Sequence, residues 1–246
     1  MFVPDVTRRR DRFLRKPVTS CTKNMPTPDP RYTPLEEGTY YHIYNRANGN
    51  ENIFRETRNY EYFFRKYVEH AEPYAELYAY CLLKNHFHLL VKIKPGSRRD
   101  TFLENMSRLE PSRDASQAFA NWFTAYAKGY NKTYARHGSL LQRPFRRIPV
   151  TSERYLLNLV RYIHRNPQKH GFVKDFREWV YSSYPFISNV TGFRKPVTFE
   201  ADVTGLWRPV TSGTVLEWFG GLKAFEEFHR DAREDAAVRE LIGEDD

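Results

Sequence analysis

From Gly38 onward the chain alternates short aromatic or β-branched runs with amphipathic ones. Thr39–Asn45 (TYYHIYN) is strand-like and is closed by the turn residues Asn48-Gly49-Asn50. In Arg58–Ala71, Tyr62, Lys66 and His70 share one stripe while Phe63, Phe64 and Tyr67 share another, which predicts a helix stopped by Pro73. Ala75–Leu83 and His86–Lys94 are β-rich runs separated by Lys84-Asn85, the spacing of an antiparallel hairpin with a weak turn pair. Pro95–Ser116 is polar and reads as a loop with room for a short helix. Ala118–Tyr134 is helix-patterned and ends at His137-Gly138, and Phe145–Val150 is a further strand. Thr151 is the expected cap of a last helix, with Glu153 in its first turn and its end at Asn166-Pro167. The order β-α-β-β-α-β-α predicts an α+β fold, one antiparallel sheet with helices on a face. No internal repeat is visible.

The flanks differ in texture. Residues 1–36 are Arg- and Pro-rich without periodicity and read as a flexible basic arm. Residues 37–190 hold the patterned elements, and 191–246 form an extension that ends in an acidic, helix-prone tail from Leu222. Hydrophobic residues make up 40% of the 246, enough for a core. No apolar run approaches the roughly 18 residues of a membrane span, and the basic N-terminus lacks a secretory apolar stretch. Two cysteines, Cys21 and Cys81, build neither a disulfide framework nor a zinc knuckle, so a reducing, cytoplasmic setting is expected. The 39 Lys and Arg against 30 Asp and Glu leave a net charge of +9, which directs attention to an anionic partner, nucleic acid first. A basic enzyme with a merely solvated surface would carry the same charge.

The sharpest chemical feature is His86-Phe87-His88. On a strand the two imidazoles project from one face while Phe87, Leu89, Val91 and Ile93 seat the other on a core. Two imidazoles one pleat apart can grip a cation, or can simply be hydrogen-bonded histidines on a polar face. The second feature is the helix pattern of NLVRYIHRNPQKHG. Tyr155, Leu159, Tyr162 and Asn166 form one stripe, and Leu156, Val160 and Ile163 an apolar one. Tyr162 thus stands one turn from the Asn166 amide. Alternatively it packs in the core and Asn166 only ends the helix. Tyr126, Tyr130 and Tyr134 also share a stripe, but none has an amide or carboxylate four residues on.

NHFHLLV followed by RYIHRNPQKHG resembles the single-tyrosine HUH transposases, and within them the REP-associated (repetitive extragenic palindrome) tyrosine transposases. YHIYNRANGN, GSLLQRPFRRI and EWVYSSY match as well, so the resemblance spans roughly Gly38 to Phe186. It implies a ferredoxin- or RRM-like domain that cuts and rejoins single-stranded DNA, often at a hairpin. It further implies His86, His88 and Asn166 as ligands of a divalent metal, Mg²⁺ or Mn²⁺, and Tyr162 as a nucleophile forming a 5′-phosphotyrosine. Two imidazoles by softness suit Mn²⁺ or Zn²⁺ better than Mg²⁺.

Phosphodiester energy kept in a covalent link needs no nucleotide cofactor, and the chain has neither a GxxxxGK[ST] nor a GxGxxG loop. Asn45, Arg46, Arg143, Arg146 and Arg147 are the candidate DNA contacts, with exposed Tyr or Phe as stacking platforms and Phe145 assigned to the core. The competing functions are a domesticated RRM-like binding module without chemistry and a His-ligated metallohydrolase using water. Monomer and homodimer are both compatible with such an enzyme.

Overall fold

A computed structural model describes residues 29, 31–95, 113–188 and 210–231. Most of the basic arm, residues 96–112 and the acidic tail beyond Asp231 lie outside the described residues. The chain runs β1 (Tyr40–Arg46), α1 (Thr57–His70), β2 (Ala75–Leu82), β3 (His86–Ile93), α2 (Arg113–Thr133), β4 (Arg146–Pro149) and α3 (Glu153–Lys169). A short 3-10 turn at Phe176–Glu178, α4 (Tyr184–Ile187), α5 (Ser212–Phe219) and α6 (Leu222–Arg230) follow. The strands form one antiparallel sheet in the order β2-β3-β1-β4. A β-α-β-β-α-β order with those neighbours is the ferredoxin-like arrangement.

Strand alternation divides the work between the two faces. Phe87 on β3 meets Phe63 of α1 at 5.0 Å and Phe123 of α2 at 5.2 Å between ring centroids. Trp122 closes on Phe63 at 4.5 Å and donates its indole N–H to the Phe63 carbonyl. This aromatic layer, from which Phe54, Phe63, Phe119 and Tyr126 are also solvent-excluded, is the main core. The opposite face carries His42, Tyr44, His86 and His88, and α3 lies over it, with Tyr162 edge-on to His88. Helices α1 and α2 therefore share one face, and the tyrosine helix lies on the other, where Trp218 of α5 also packs on Tyr40. Outside β2, the EWVYSSY segment shields the sheet edge. Leu82 donates its N–H to the Tyr181 carbonyl and Ser183 to that of Tyr80, satisfying polar groups an open edge would expose.

Several local expectations are corrected. Helix α2 starts at Arg113, so Ser116 is helical rather than in a loop; buried Ala115 ties this polar turn to the core. The cap of α3 is Ser152, not Thr151: its backbone is extended (φ −148°) and its side chain accepts the Tyr155 N–H. Helix α3 runs through Pro167 to Lys169. A proline this close to a C-terminus removes one hydrogen bond, while His170 N–H to the Asn166 carbonyl and Phe172 N–H to the Pro167 carbonyl close the last turn. Gly171, at φ +71°, then lets the chain reverse.

Of the 191–246 extension, the described part docks on the same body. Thr211 donates to the Leu77 carbonyl, and Trp218 packs on Tyr78 at 5.0 Å. No described helix is long and apolar enough to cross a membrane.

Candidate active site

The hairpin register fixes His86 and His88. His88 pairs with Tyr44 and His86 with Arg46 across the β1–β3 ladder, so all four side chains rise from one face. The His86 and His88 rings are 5.3 Å apart and nearly perpendicular. Each has its Nδ1 engaged: His86 Nδ1 lies 2.8 Å from Asn85 Oδ1, and His88 Nδ1 lies 3.0 Å from His42 Nε2. The Asn85 oxygen can only accept, so His86 carries its proton on Nδ1 and presents Nε2 as a bare lone pair. Asn85, the weak turn residue of the hairpin, thus sets the tautomer of its neighbour. His88 presents Nε2 as a lone pair in the tautomer whose Nδ1 donates to His42 Nε2, and in that tautomer His42 would orient it.

Burial keeps these rings neutral. Desolvation pulls His42 down to about 3, and His86 also to about 3, with His170, Arg46 and Lys169 adding positive charge around His86. His88 is driven well below the usual histidine range by burial and by the neighbouring imidazoles. Neutral imidazoles ligate metals; imidazolium does not.

Helix α3 supplies the other half. Tyr162 is half-buried, edge-on to His88 at 5.5 Å and to His42 at 6.3 Å, with its hydroxyl shielded from solvent. The Lys169 ammonium is 5.1 Å from its ring centroid. Asn166 is fully buried and donates its amide N–H to the Tyr162 carbonyl at 3.3 Å, which leaves Oδ1 as the outward acceptor. Asn166 Oδ1 and His86 Nε2 have no well-formed hydrogen bond among the described residues, yet the Asn166 amide lies near enough to favour a proton on His86. A buried lone pair on nitrogen beside a buried carbonyl oxygen is a donor set that a divalent cation would satisfy. Among the described residues no three His, Cys, Asp or Glu side chains converge as a metal site, so the fit rests on imidazole plus amide.

Sequence reasoning missed His42 and His170. His42 was legible only as part of an aromatic strand; its role needed the β1–β3 register. His170 lies 4.9 Å from the His86 ring because α3 continues past Pro167.

The chain is 28% identical over 125 residues to the "Putative REP-associated tyrosine transposase" of Haemophilus influenzae, a match covering 50% of this chain and 66% of that relative. The chain is similar to the REP-associated tyrosine transposases. A solved structure of a REP-associated tyrosine transposase bound to a REP hairpin aligns with 78% of this chain and 100% of its own, at 16% identity and a TM-score of 0.47. A further match, 29% over 147 residues, covers 56% of this chain but only 25% of the "Probable metalloreductase AIM14" of Candida dubliniensis. No protein-family profile matches the chain.

The five candidate DNA contacts do not form one cluster. Arg46 and Arg146 belong to the face that carries His86 and His88, Arg146 lying 5.7 Å over the Tyr44 ring. Asn45 and Arg147 project from the opposite face, because β1 and β4 pair as Ile43↔Arg147 and Tyr44↔Arg146. Asn45 is spent on the fold: its amide donates to the Gln142 carbonyl at 3.0 Å and its oxygen accepts the Arg46 N–H. Arg143 is exposed on the loop before β4. Phe145 is core, 6% exposed, as expected. The expected stacking platforms are scarce, since among the described residues Tyr32 is the one large aromatic that is well exposed.

Proposed function

We propose that the chain is a metal-dependent single-stranded DNA endonuclease and strand transferase of the REP-associated tyrosine transposase kind, acting at hairpin or palindromic DNA. The observation that carries this reading is the placement of Tyr162 edge-on to His88, beside the buried acceptors of His86 and Asn166. His86, His88 and Asn166 would hold Mg²⁺ or Mn²⁺, which when bound supplies positive charge to phosphate oxygens.

Arg46 and Arg146 sit on the face from which a strand would approach and would hold its phosphates. The Tyr162 hydroxyl turns out of its shielded position, gives its proton to solvent water and bonds to phosphorus. The P–O3′ bond breaks and the leaving 3′-oxygen takes a proton from solvent, giving a 5′-phosphotyrosine and a free 3′-hydroxyl. The Lys169 ammonium, beside the Tyr162 ring, adds positive charge to the place where the phosphate would sit. Attack by a 3′-hydroxyl on the phosphotyrosine reverses the step and joins strands. Bond energy is conserved throughout, so no nucleotide cofactor enters the scheme. One copy holds all of these residues, and the scheme works for a monomer or within a homodimer.

The test is a denaturing gel with a 3′-labelled hairpin oligonucleotide and Mn²⁺. Wild type should yield a covalent protein–DNA band that chelator suppresses, and Tyr162→Phe should bind the hairpin but form no band. Wild type that binds and never forms the adduct would leave a binding module without chemistry. An adduct that persists in excess chelator would remove the metal role.

A further inference from the structure

On the face of the sheet away from Tyr162, a cavity of about 600 Å³ opens between α2, the 138–145 loop and β4. Among the described residues its lining holds Lys128, Arg143 and Arg147 and no Asp or Glu. Arg147 is the unusual member. It is only 7% exposed, its guanidinium lies 4.1 Å over the Phe145 ring, and one terminal nitrogen donates to Ser116 Oγ at 2.6 Å. Its Nε has no hydrogen-bond partner among the described residues, and no described carboxylate pairs with it. Burial lowers its pKa, an effect that Tyr41 opposes. Proteins rarely leave a buried guanidinium without an anion unless a ligand brings one. An inorganic oxyanion alone would leave most of this volume empty. Part of the remaining wall is apolar, with Phe123, Leu140 and Leu141, and the side-chain amides of Gln117, Asn131 and Gln142 belong to its polar part. Ligand sites of this size combine such a wall with a few fixed polar groups.

We propose that this cavity binds a nucleoside monophosphate unit, its phosphate against Arg147 with Arg143 and Lys128, and its base on the apolar wall. β4 is the outer strand of the sheet, and its consecutive residues Arg146 and Arg147 point to opposite faces. A strand crossing this edge from the active-site face would deliver such a unit; a free nucleotide has the same chemistry. The first source rests on the nucleic-acid reading above, whereas the site's affinity for a nucleotide does not.

The test uses calorimetry on the full chain carrying Tyr162→Phe, so that no cleavage intervenes. The titrants are deoxynucleoside 5′-monophosphates, inorganic phosphate and a short single-stranded oligonucleotide. A mononucleotide should bind, more tightly than phosphate, and Arg147→Gln should weaken it at least tenfold. Lys128→Glu, at an exposed position that leaves the core intact, should do the same. If the oligonucleotide loses affinity in parallel, the unit belongs to a bound strand; if it does not, the site takes a free nucleotide. No mononucleotide binding at millimolar concentration, phosphate binding as tightly as nucleotide, or affinity unmoved by both substitutions overturns the proposal. A wild type that forms no covalent adduct would sink the cleavage reading and leave these affinities untouched.

Discussion

Lowering the pH should unseat α6 from the tyrosine helix through a single buried histidine. His229 of α6 is fully buried, its Nδ1 2.7 Å from the Phe225 carbonyl and its Nε2 2.8 Å from His164 Nδ1 on α3. His164 Nε2 in turn lies 2.7 Å from Ser183 Oγ. A carbonyl can only accept, so His229 donates through Nδ1 and accepts at Nε2; His164 then donates through Nδ1 and accepts the Ser183 hydroxyl proton. One carbonyl sets every proton in the chain, and both rings must be neutral.

Burial holds His229 at about 3, with Arg161 and Arg165 adding like charge and the Phe225 carbonyl opposing them; His164 is depressed the same way by burial and by His229. The unfolded chain takes up its proton near the ordinary 6.5, so the stability tied to neutral His229 is complete above that pH. It is lost as pH falls toward 3. At pH 4.5, about 2 units below the unfolded value, the loss is about 3 kcal/mol at 1.36 kcal/mol per unit. That is a large share of the roughly 5–15 kcal/mol that holds a domain together.

His229→Gln removes the titrating group and keeps the geometry, since the amide oxygen can accept from His164 and the amide N–H can donate to Phe225. It should cost about 1 kcal/mol at pH 7. Urea unfolding followed by tryptophan fluorescence should then show wild type losing about 3 kcal/mol more than His229→Gln between pH 7 and 4.5. Parallel losses in the two proteins would show that His229 does not control the acid sensitivity.

Tyr130→Phe and Tyr155→Phe should retain the covalent adduct on the gel that tests Tyr162, because neither ring stands edge-on to the histidines; loss of the adduct in either would relocate the nucleophile. His42→Phe keeps a ring beside Tyr44 but removes the acceptor for His88 Nδ1, so Mn²⁺ affinity by calorimetry should fall about 10- to 100-fold. Unchanged affinity would mean that His88 is not oriented by His42. Ser152→Ala deletes the side-chain acceptor for the Tyr155 N–H at the start of α3 and should cost about 1 kcal/mol in urea unfolding. The same substitution at Thr151, the cap expected from the pattern, should cost less.

Periodicity alone determined the β-α-β-β-α-β-α order and the two faces of β3, because alternation of side chains is a property of the backbone and not of its neighbours. It also placed Tyr162 and Asn166 on one stripe of α3, and the motifs carried the family resemblance. What it could not decide were distances between elements. His42 and His88 are 46 residues apart and meet only through the β1–β3 register. Arg146 and Arg147 are consecutive, and only the pairing of β4 with β1 shows that one faces the tyrosine and the other a cavity behind the sheet. Composition suggested aromatic stacking platforms, but aromatics bury the most apolar area and were drawn into the layer between α1, α2 and the sheet. The end of α3 escaped because a proline lacks one donor but does not forbid a final turn that other groups complete. Local chemistry names the residues that can act; the long-range pairing of strands, which no local pattern encodes, decides which of them meet.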